Sequence, residues 1–492
     1  MYAQPQQRQR GFEQQPGMEQ QQPAQPQPAN RQPPPVVNDH IVETHHSAKI
    51  GGQELKYTAT AGTMVMRAED GAPRATVFFV AYTKDDVADR GKRPITFAFN
   101  GGPGSASVWL HLGALGPKRV ATADEMGNPL PPPYSLVDNE YSILDVSDVV
   151  LIDAISTGFS RPVQGQNPAQ FYGVDNDAAA FGDFMRLYVT RYGRWLSPKY
   201  IIGESYGTTR AAALSGYLQN TVKMYLNGIV LLSSMPLQTL GSDLNSALTL
   251  PTYTAIAWYH KKLPKDLMGD LKKAVAESEQ FAMGEYSTAL MKGDALPAAE
   301  KAQIVKKLAR FTGLSPEFIE ECNLRVSASR FRKELLRSER RIVGRLDARF
   351  VGIDRDAAGE NPEYDPSDAI NAGAYTATIN NYLRNELKFE SDLPYQISAR
   401  VQWGSMSPAR GGVMETLRAA MTQNPFLRVF VIKGYYDMAC FYFPVNYMET
   451  HMYLDPSLRD HIQSDYFETG HMVYIDKRAL KQFKEDMVKF IK

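Results

Sequence analysis

The stretch that most restricts the fold is Lys199-Tyr200-Ile201-Ile202-Gly203-Glu204-Ser205-Tyr206-Gly207-Thr208-Thr209-Arg210-Ala211-Ala212-Ala213. An apolar run of β type ends at Gly203 and good helix formers follow Gly207, so the backbone turns from strand to helix within G-x-S-x-G. A turn that abrupt leaves no room for Cβ atoms beside the serine, which accounts for both glycines. Ser205 is then exposed near the positive end of the helix that follows. The bare pattern arises by chance in long chains, and its flanking strand and helix are what make it a nucleophile elbow.

The same alternation of strand and helix runs through much of the chain. Short apolar segments at Ile95–Phe99, 148–153, 200–202, Gly228–Leu232 and 428–432 are each bounded by Gly, Pro, Ser or Asp. Between them, Val174, Ala178, Phe181, Met185, Tyr188 and Tyr192 fall on one helical face, and Leu480, Phe483, Met487 and Ile491 mark a closing amphipathic helix. Near the start, segments 55–60 and 75–82 predict an antiparallel β opening. The fold class expected is α/β: a mostly parallel central sheet, helices on both faces and an inserted helical cap.

Length alone suggests about three domains at roughly 150 residues each. The pattern divides the chain otherwise. The first 35 residues hold 12 Gln and 8 Pro with almost no aliphatic side chains, so residues 1–40 are expected to be a disordered tail. Residues 41–239 and 398–492 form two parts of one core, and the charged, helical stretch 240–397 is the cap between them. Within it, the basic run from Arg325 to Arg349 carries an apolar stripe at Phe331, Leu335, Ile342 and Leu346, which predicts a cap helix with one solvated face.

With 54 Lys+Arg against 54 Asp+Glu, the electrostatic basis for a nucleic-acid or anionic-membrane partner is missing. No apolar run approaches the roughly 18 residues of a membrane span. Cys322 and Cys440 are the only cysteines and are expected to be reduced. The N-terminus lacks the apolar core of a signal peptide, so the expected location is periplasmic or secreted if a leader is missing from the sequence, and otherwise cytoplasmic.

A nucleophilic serine needs a base, and the base needs an orienting carboxylate. In α/β-hydrolases these follow the serine in the order acid, then histidine. Asp437 lies just beyond the strand 428–432, and His471 sits in a loop before the closing helix, so Ser205, Asp437 and His471 are the candidate triad. Asp145, Asp148 and Asp153 precede the serine and contradict that order. The segment Asn100-Gly101-Gly102-Pro103-Gly104-Ser105 directly follows a strand, which makes the Gly102 and Tyr206 N–H groups the expected oxyanion pair. His40, His45, His46, His111, His260, His451 and His461 show no ligand spacing, so no metal site is expected.

Taken together, Phe99 through Ser105, Asp153 through Ser160, Gly203 through Gly207, Gly434 through Asp437 and Gly470-His471-Met472 resemble the serine carboxypeptidases of the S10 peptidase family, particularly its bacterial branch. The resemblance implies an α/β-hydrolase core with a helical cap, no cofactor, and peptide substrates with a free C-terminus. It also implies that Asn100 and Glu204 hydrogen-bond the substrate's terminal carboxylate. A buried Glu204 facing another carboxylate should hold its proton and donate that bond, so peptidase activity should persist in acid and fall as Glu204 ionises. The chain departs from the family pattern at Ala98, Ser105, Ala114 and Ala154-Ile155-Ser156, so substrate preference is not carried over. Cys440 matches a free cysteine of some relatives, as a pocket residue or an inert thiol. An esterase or acyltransferase on the same scaffold is the nearest alternative, and a noncatalytic binding protein is the second.

Overall fold

The computed structural model describes residues 36–121, 130–404 and 412–492. Residues 1–35 of the expected tail lie outside the described residues. The last residue of that expectation, His40, belongs instead to a strand.

Ten strands form the main sheet. They are β1 (His40–Ile50), β2 (Gln53–Arg67), β3 (Pro73–Lys84), β4 (Ile95–Phe99), β5 (Asp148–Ile152), β6 (Arg161–Pro162), β7 (Lys199–Glu204), β8 (Gly228–Leu232), β9 (Arg428–Gly434) and β10 (Ile462–Phe467). Their spatial order is β1-β2-β3-β5-β4-β7-β8-β9-β10, with β6 against β3. Pairing is antiparallel among β1, β2, β3 and their contacts to β5 and β6, and parallel from β5 through β10.

The alternating residues explain why this sheet is covered twice. In β3, Phe78, Val80 and Tyr82 enter one apolar cluster while Val77, Phe79 and Ala81 enter the other; in β8, Val230 and Leu232 part in the same way from Ile229 and Leu231. Two buried faces require helices on both. On one side pack α1 (Val174–Arg191), α2 (Tyr206–Tyr217) and α7 (Val413–Gln423); on the other pack α6 (Pro366–Asn385) and α9 (Lys477–Ile491). The face foreseen for α1 is buried at Val174, Ala178, Phe181, Met185 and Tyr188. The closing helix α9 is capped by Asp476, whose carboxylate accepts from the Arg478 and Ala479 N–H groups.

Between β8 and β9 the chain is mainly helical, with α3 (Ser242–Tyr259), α4 (Leu271–Phe281) and α5 (Ala298–Thr312). These helices share a third apolar cluster with Tyr435, Tyr436, Met438 and Tyr442, which follow β9, the last of them opening α8 (Tyr442–Thr450). That cluster therefore lies against the carboxyl end of a parallel strand. Helix α6 differs in sending Ala374, Tyr375, Ile379 and Tyr382 into a sheet-face cluster.

The expected basic cap helix is not one helix. A short helix Ala328–Glu334 and a turn Arg337–Glu339 end at Arg340, which has φ of +54°, and Ile342–Val343 then pairs as a strand with Val351–Gly352. Nor is the basic run solvated throughout: Arg340, Arg341 and Arg345 are exposed, but Arg332 donates to the Val343 and Tyr364 carbonyls and Lys333 is buried against Asp354. Specific acceptors, rather than water, satisfy the last two charges. Among the described residues no helix is long and apolar enough to cross a membrane.

Candidate active site

Parallel strands deliver their carboxyl ends to one edge of a sheet, where the following loops can converge. Here the register aligns Phe99 with Gly203, Glu204 with Leu232, and Gly434 with Phe467. The loops after β4, β7, β9 and β10 carry Asn100, Ser205, Asp437 and His471, and they meet at that edge.

Ser205 occupies the left-handed region with φ of +61° and ψ of −129°, then opens α2. A non-glycine residue in such a conformation stores about 1–3 kcal/mol, held by the surrounding structure. Part of that hold is steric: a Cβ on Gly203 would come within 2.0 Å of the Gly207 carbonyl oxygen. The Asn-Gly-Gly loop is seated equally closely, since a Cβ on Gly101 would lie 2.4 Å from both the Tyr206 and Gly207 nitrogens. The Asn100 carbonyl accepts from Arg210 at 2.6 Å, and fully buried Arg210 is ion-paired with Asp177 at 2.6 Å. The phenol of Tyr206 donates to the same Asp177 carboxylate at 3.1 Å, leaving only its backbone near the serine.

Asp437 is fully buried, and its Oδ2 meets His471 Nδ1 at 2.7 Å. Its Oδ1 accepts from the Ala439 and Cys440 N–H groups at 2.7 and 2.9 Å. With Nδ1 committed to the carboxylate, the Nε2 lone pair of His471 is the one open to a proton. Burial opposes a charge on the imidazole, but Asp437 and Cys440 outweigh it and hold its pKa well above the ordinary value. The Ser205 hydroxyl contacts the Cys440 thiol at 3.9 Å rather than His471. Such long contacts are common at a serine site without substrate. Asp437, Cys440 and His471 also form the one candidate metal-binding cluster among the described residues. Both carboxylate oxygens and Nδ1 in it are already engaged with one another or with the backbone.

Glu204 is 2% exposed, and burial is the main reason its carboxyl pKa rises to about 7. Hydrogen bonds from Tyr474, at 2.8 Å, and from Asn100 pull in the opposite direction. A cavity of about 230 Å³ joins these groups, lined by Asn100, Gly102, Glu204, Ser205 and His471 at its base and by Arg345 and Asp368 from the stretch between β8 and β9.

Every site residue named from sequence except Tyr206 thus lies on this cavity or, for Asp437, directly behind His471. Tyr474 was not foreseen; it stands three residues after His471 with no motif of its own. Arg210 and Asp177 were missed as well, because the serine's neighbours in sequence give no sign of a buried ion pair with α1. The rival carboxylates have other work: Asp148 pairs with Arg93 and Arg194, each at 2.6 Å, and Asp145 with Lys484. Buried Asp153 accepts from the Ser107 N–H at 2.7 Å. Both cysteines are free. Burial lowers the His111 pKa to about 3, and its Nε2 bonds the Tyr82 hydroxyl at 2.6 Å, a core role.

The sequence model of the serine carboxypeptidase family matches residues 53–471. A comparison with curated proteins finds no match. Among solved structures, Kex1, a prohormone-processing carboxypeptidase from Saccharomyces cerevisiae, is 16% identical, with 88% of this chain and 91% of that chain covered at a TM-score of 0.53. A proline iminopeptidase from Mycobacterium smegmatis is 14% identical, with 88% and 97% covered at a TM-score of 0.36. At such identities the first likeness speaks for the fold.

Proposed function

The chain belongs to the serine carboxypeptidase family, whose sequence model spans residues 53–471, and we propose that it removes C-terminal residues from peptides through an acyl-enzyme on Ser205. The observation that carries the reading is Glu204. It is a buried carboxyl bonded to Asn100 and Tyr474, on the same cavity wall as Ser205 and His471. A protonated carboxyl beside an amide is suited to bind a carboxylate, and here it lies next to a nucleophile.

In this reading the substrate's terminal carboxylate accepts hydrogen bonds from Glu204 and Asn100, which brings the last peptide carbonyl over Ser205. The serine hydroxyl swings from Cys440 toward His471 Nε2, gives up its proton there and attacks the carbonyl carbon. Asp437 stabilises the imidazolium, and the Gly102 and Tyr206 N–H groups receive the developing oxyanion. His471 returns the proton to the leaving amine as the C–N bond breaks. Water then attacks the Ser205 ester, passing a proton through His471 back to Oγ, and the shortened peptide departs.

The productive state has a proton on Glu204 and none on His471. Burial raises the proton affinity of the first and Asp437 that of the second, so the two requirements oppose each other. The peptidase optimum is expected on the acidic side of the optimum for an ester lacking a free carboxylate, bounded by His471 below and Glu204 above. Incubating wild type and Ser205→Ala with a mixed peptide library at acidic and neutral pH tests the proposal by the masses released. Stepwise C-terminal trimming by wild type alone is expected. Equal turnover of C-terminally blocked esters, without trimming, would make the protein an esterase or acyltransferase; no Ser205 labelling by a fluorophosphonate would make it a noncatalytic binder.

A further inference from the structure

The strand register of β9 and β10 ends at Gly434 and Phe467, beyond which the Tyr435 and Tyr436 N–H groups donate to the Phe467 and Thr469 carbonyls at 3.0 and 2.9 Å. Asp437 and His471 lie three and four residues beyond that limit, yet their pairing needs alignment to a few tenths of an ångström. The alignment has a further source in a short segment between β8 and β9. The Tyr436 carbonyl accepts from the Ala348 N–H at 3.0 Å, and the Arg345 carbonyl accepts from the Met438 N–H at 3.0 Å, so residues on both sides of Asp437 are tied. The Leu346 carbonyl accepts from the His471 N–H at 2.6 Å, and Asp347 Oδ2 accepts from the Gly470 N–H at 3.1 Å. The fit at Gly470 is close enough that a Cβ there would lie 2.4 Å from both the Asp347 Cβ and the Leu346 carbonyl oxygen.

Asp347 is itself fixed. It is 1% exposed, and Arg349 reaches it with Nη2 to Oδ2 at 2.7 Å and Nε to Oδ1 at 3.0 Å. The same guanidinium donates to the Glu468 carbonyl at 3.1 Å and to Asp476 at 3.3 Å, spanning the start and the end of the histidine loop. Behind the segment, Ser367 Oγ accepts from the Leu346 and Asp347 N–H groups, each at 3.1 Å, and Asp365 accepts from the Arg345 N–H at 2.9 Å. Both acceptors stand at the start of α6, so the segment is anchored on a helix packed against the sheet.

We propose that residues 345–349 act as a splint across the Asp437 and His471 loops, with Asp347 and Arg349 as positioning residues for His471. The proposal rests on the reading of Ser205, Asp437 and His471 given above. Loss of the Asp347 or Arg349 side chain, neither of which lines the cavity, lets His471 shift relative to Asp437 while the Asn100 and Glu204 pair stays in place, so turnover falls and substrate affinity does not.

The test compares Asp347→Ala and Arg349→Lys with Lys333→Met, which breaks a buried ion pair in the same stretch without touching either loop. Each is measured for thermal midpoint, for kcat and KM on a peptide, and for the rate of Ser205 labelling by a fluorophosphonate. Asp347→Ala is expected to lower kcat and the labelling rate together, by roughly tenfold to a hundredfold, the scale of an ångström's misplacement, with KM within about twofold. Arg349→Lys, which keeps the charge but cannot span Glu468 and Asp476, should lose less in the same two readouts, and it decides the matter if Asp347→Ala does not fold. Lys333→Met should keep its kcat. An unchanged kcat and labelling rate in the Asp347 and Arg349 variants, or an equal loss in Lys333→Met, overturns the splint. A wild type that is not labelled overturns the underlying reading of Ser205 instead.

Discussion

Replacing Glu204 by Gln removes one ionisation and leaves the shape of the site almost unchanged. The buried carboxyl rises from an ordinary 4.5 to about 7, with desolvation as its main cause. At about 1.36 kcal/mol for each tenfold change in proton affinity, that rise corresponds to roughly 3 kcal/mol. Between pH 4.5 and about 7 the folded chain keeps a proton that the unfolded chain has released. Stability therefore falls as pH rises through this window, and above it the wild type carries the whole loss. Gln cannot ionise, and its amide oxygen can still accept from Tyr474. In urea unfolding, the variant should gain on the wild type by up to roughly 3 kcal/mol between pH 4.5 and pH 8, most of it below about 7. Peptidase activity supplies the second readout. Relative to cleavage of its ester, which shares the His471 requirement, wild-type cleavage of a peptide with a free C-terminus should decline above about pH 7, where an ionised Glu204 would face the substrate carboxylate. Glu204→Gln should lose that decline, because its amide donates at any pH. If the variant keeps the same alkaline decline and the stability difference is flat with pH, Glu204 does not hold the proton assigned to it.

Three other perturbations probe the elbow and its supports. Gly203→Ala should leave little folded protein, because its methyl would meet the Gly207 carbonyl oxygen at 2.0 Å; Gly241→Ala, with nothing within 4 Å, should melt as wild type does. Arg210→Met strands the buried Asp177 carboxylate and frees the Asn100 carbonyl, and urea unfolding at pH 7 should show a loss of about 3–5 kcal/mol, with a loss under about 1 kcal/mol refuting the role. Cys440 Sγ lies 3.9 Å from Ser205 Oγ, so a mercurial that reaches it should block peptide cleavage in wild type, whereas Cys440→Ala should stay active and resistant.

What could be read from sequence follows from how far apart the interacting atoms lie along the chain. The elbow is local: strand, glycines, serine and helix occupy one continuous stretch, and each side chain in it has a steric reason that a sequence displays. Asp437 was legible because it lies just beyond a strand and His471 because it precedes the closing helix, in the known order of acid then histidine; β10, with its mixed and partly exposed residues, was not foreseen. The first strand was hidden for a related reason. Residues of β1 such as His45, Glu43 and Lys49 face outward at the sheet edge, so no clear apolar alternation marks it. The basic run misled because charge was read as a sign of solvent, whereas Arg332 and Lys333 turn inward to fixed acceptors.

The segment 345–349 marks the sharper limit. Its ties to the loops at 436–438 and 468–476 cross some ninety to a hundred and thirty residues of chain, and half of them join a backbone N–H to a backbone carbonyl, groups that carry no side-chain signature. Side-chain identity enters at Asp347, Arg349, Asp476 and the glycine at 470. Motif reasoning therefore finds the groups that change bonds and misses those that hold them in register, since the first need particular side chains and the second need mainly a path for the backbone. For this chain the consequence is specific: substitutions at Leu346 that keep its backbone in place should be better tolerated than substitutions at Asp347, although the Leu346 bond to His471 is shorter than the Asp347 bond to Gly470.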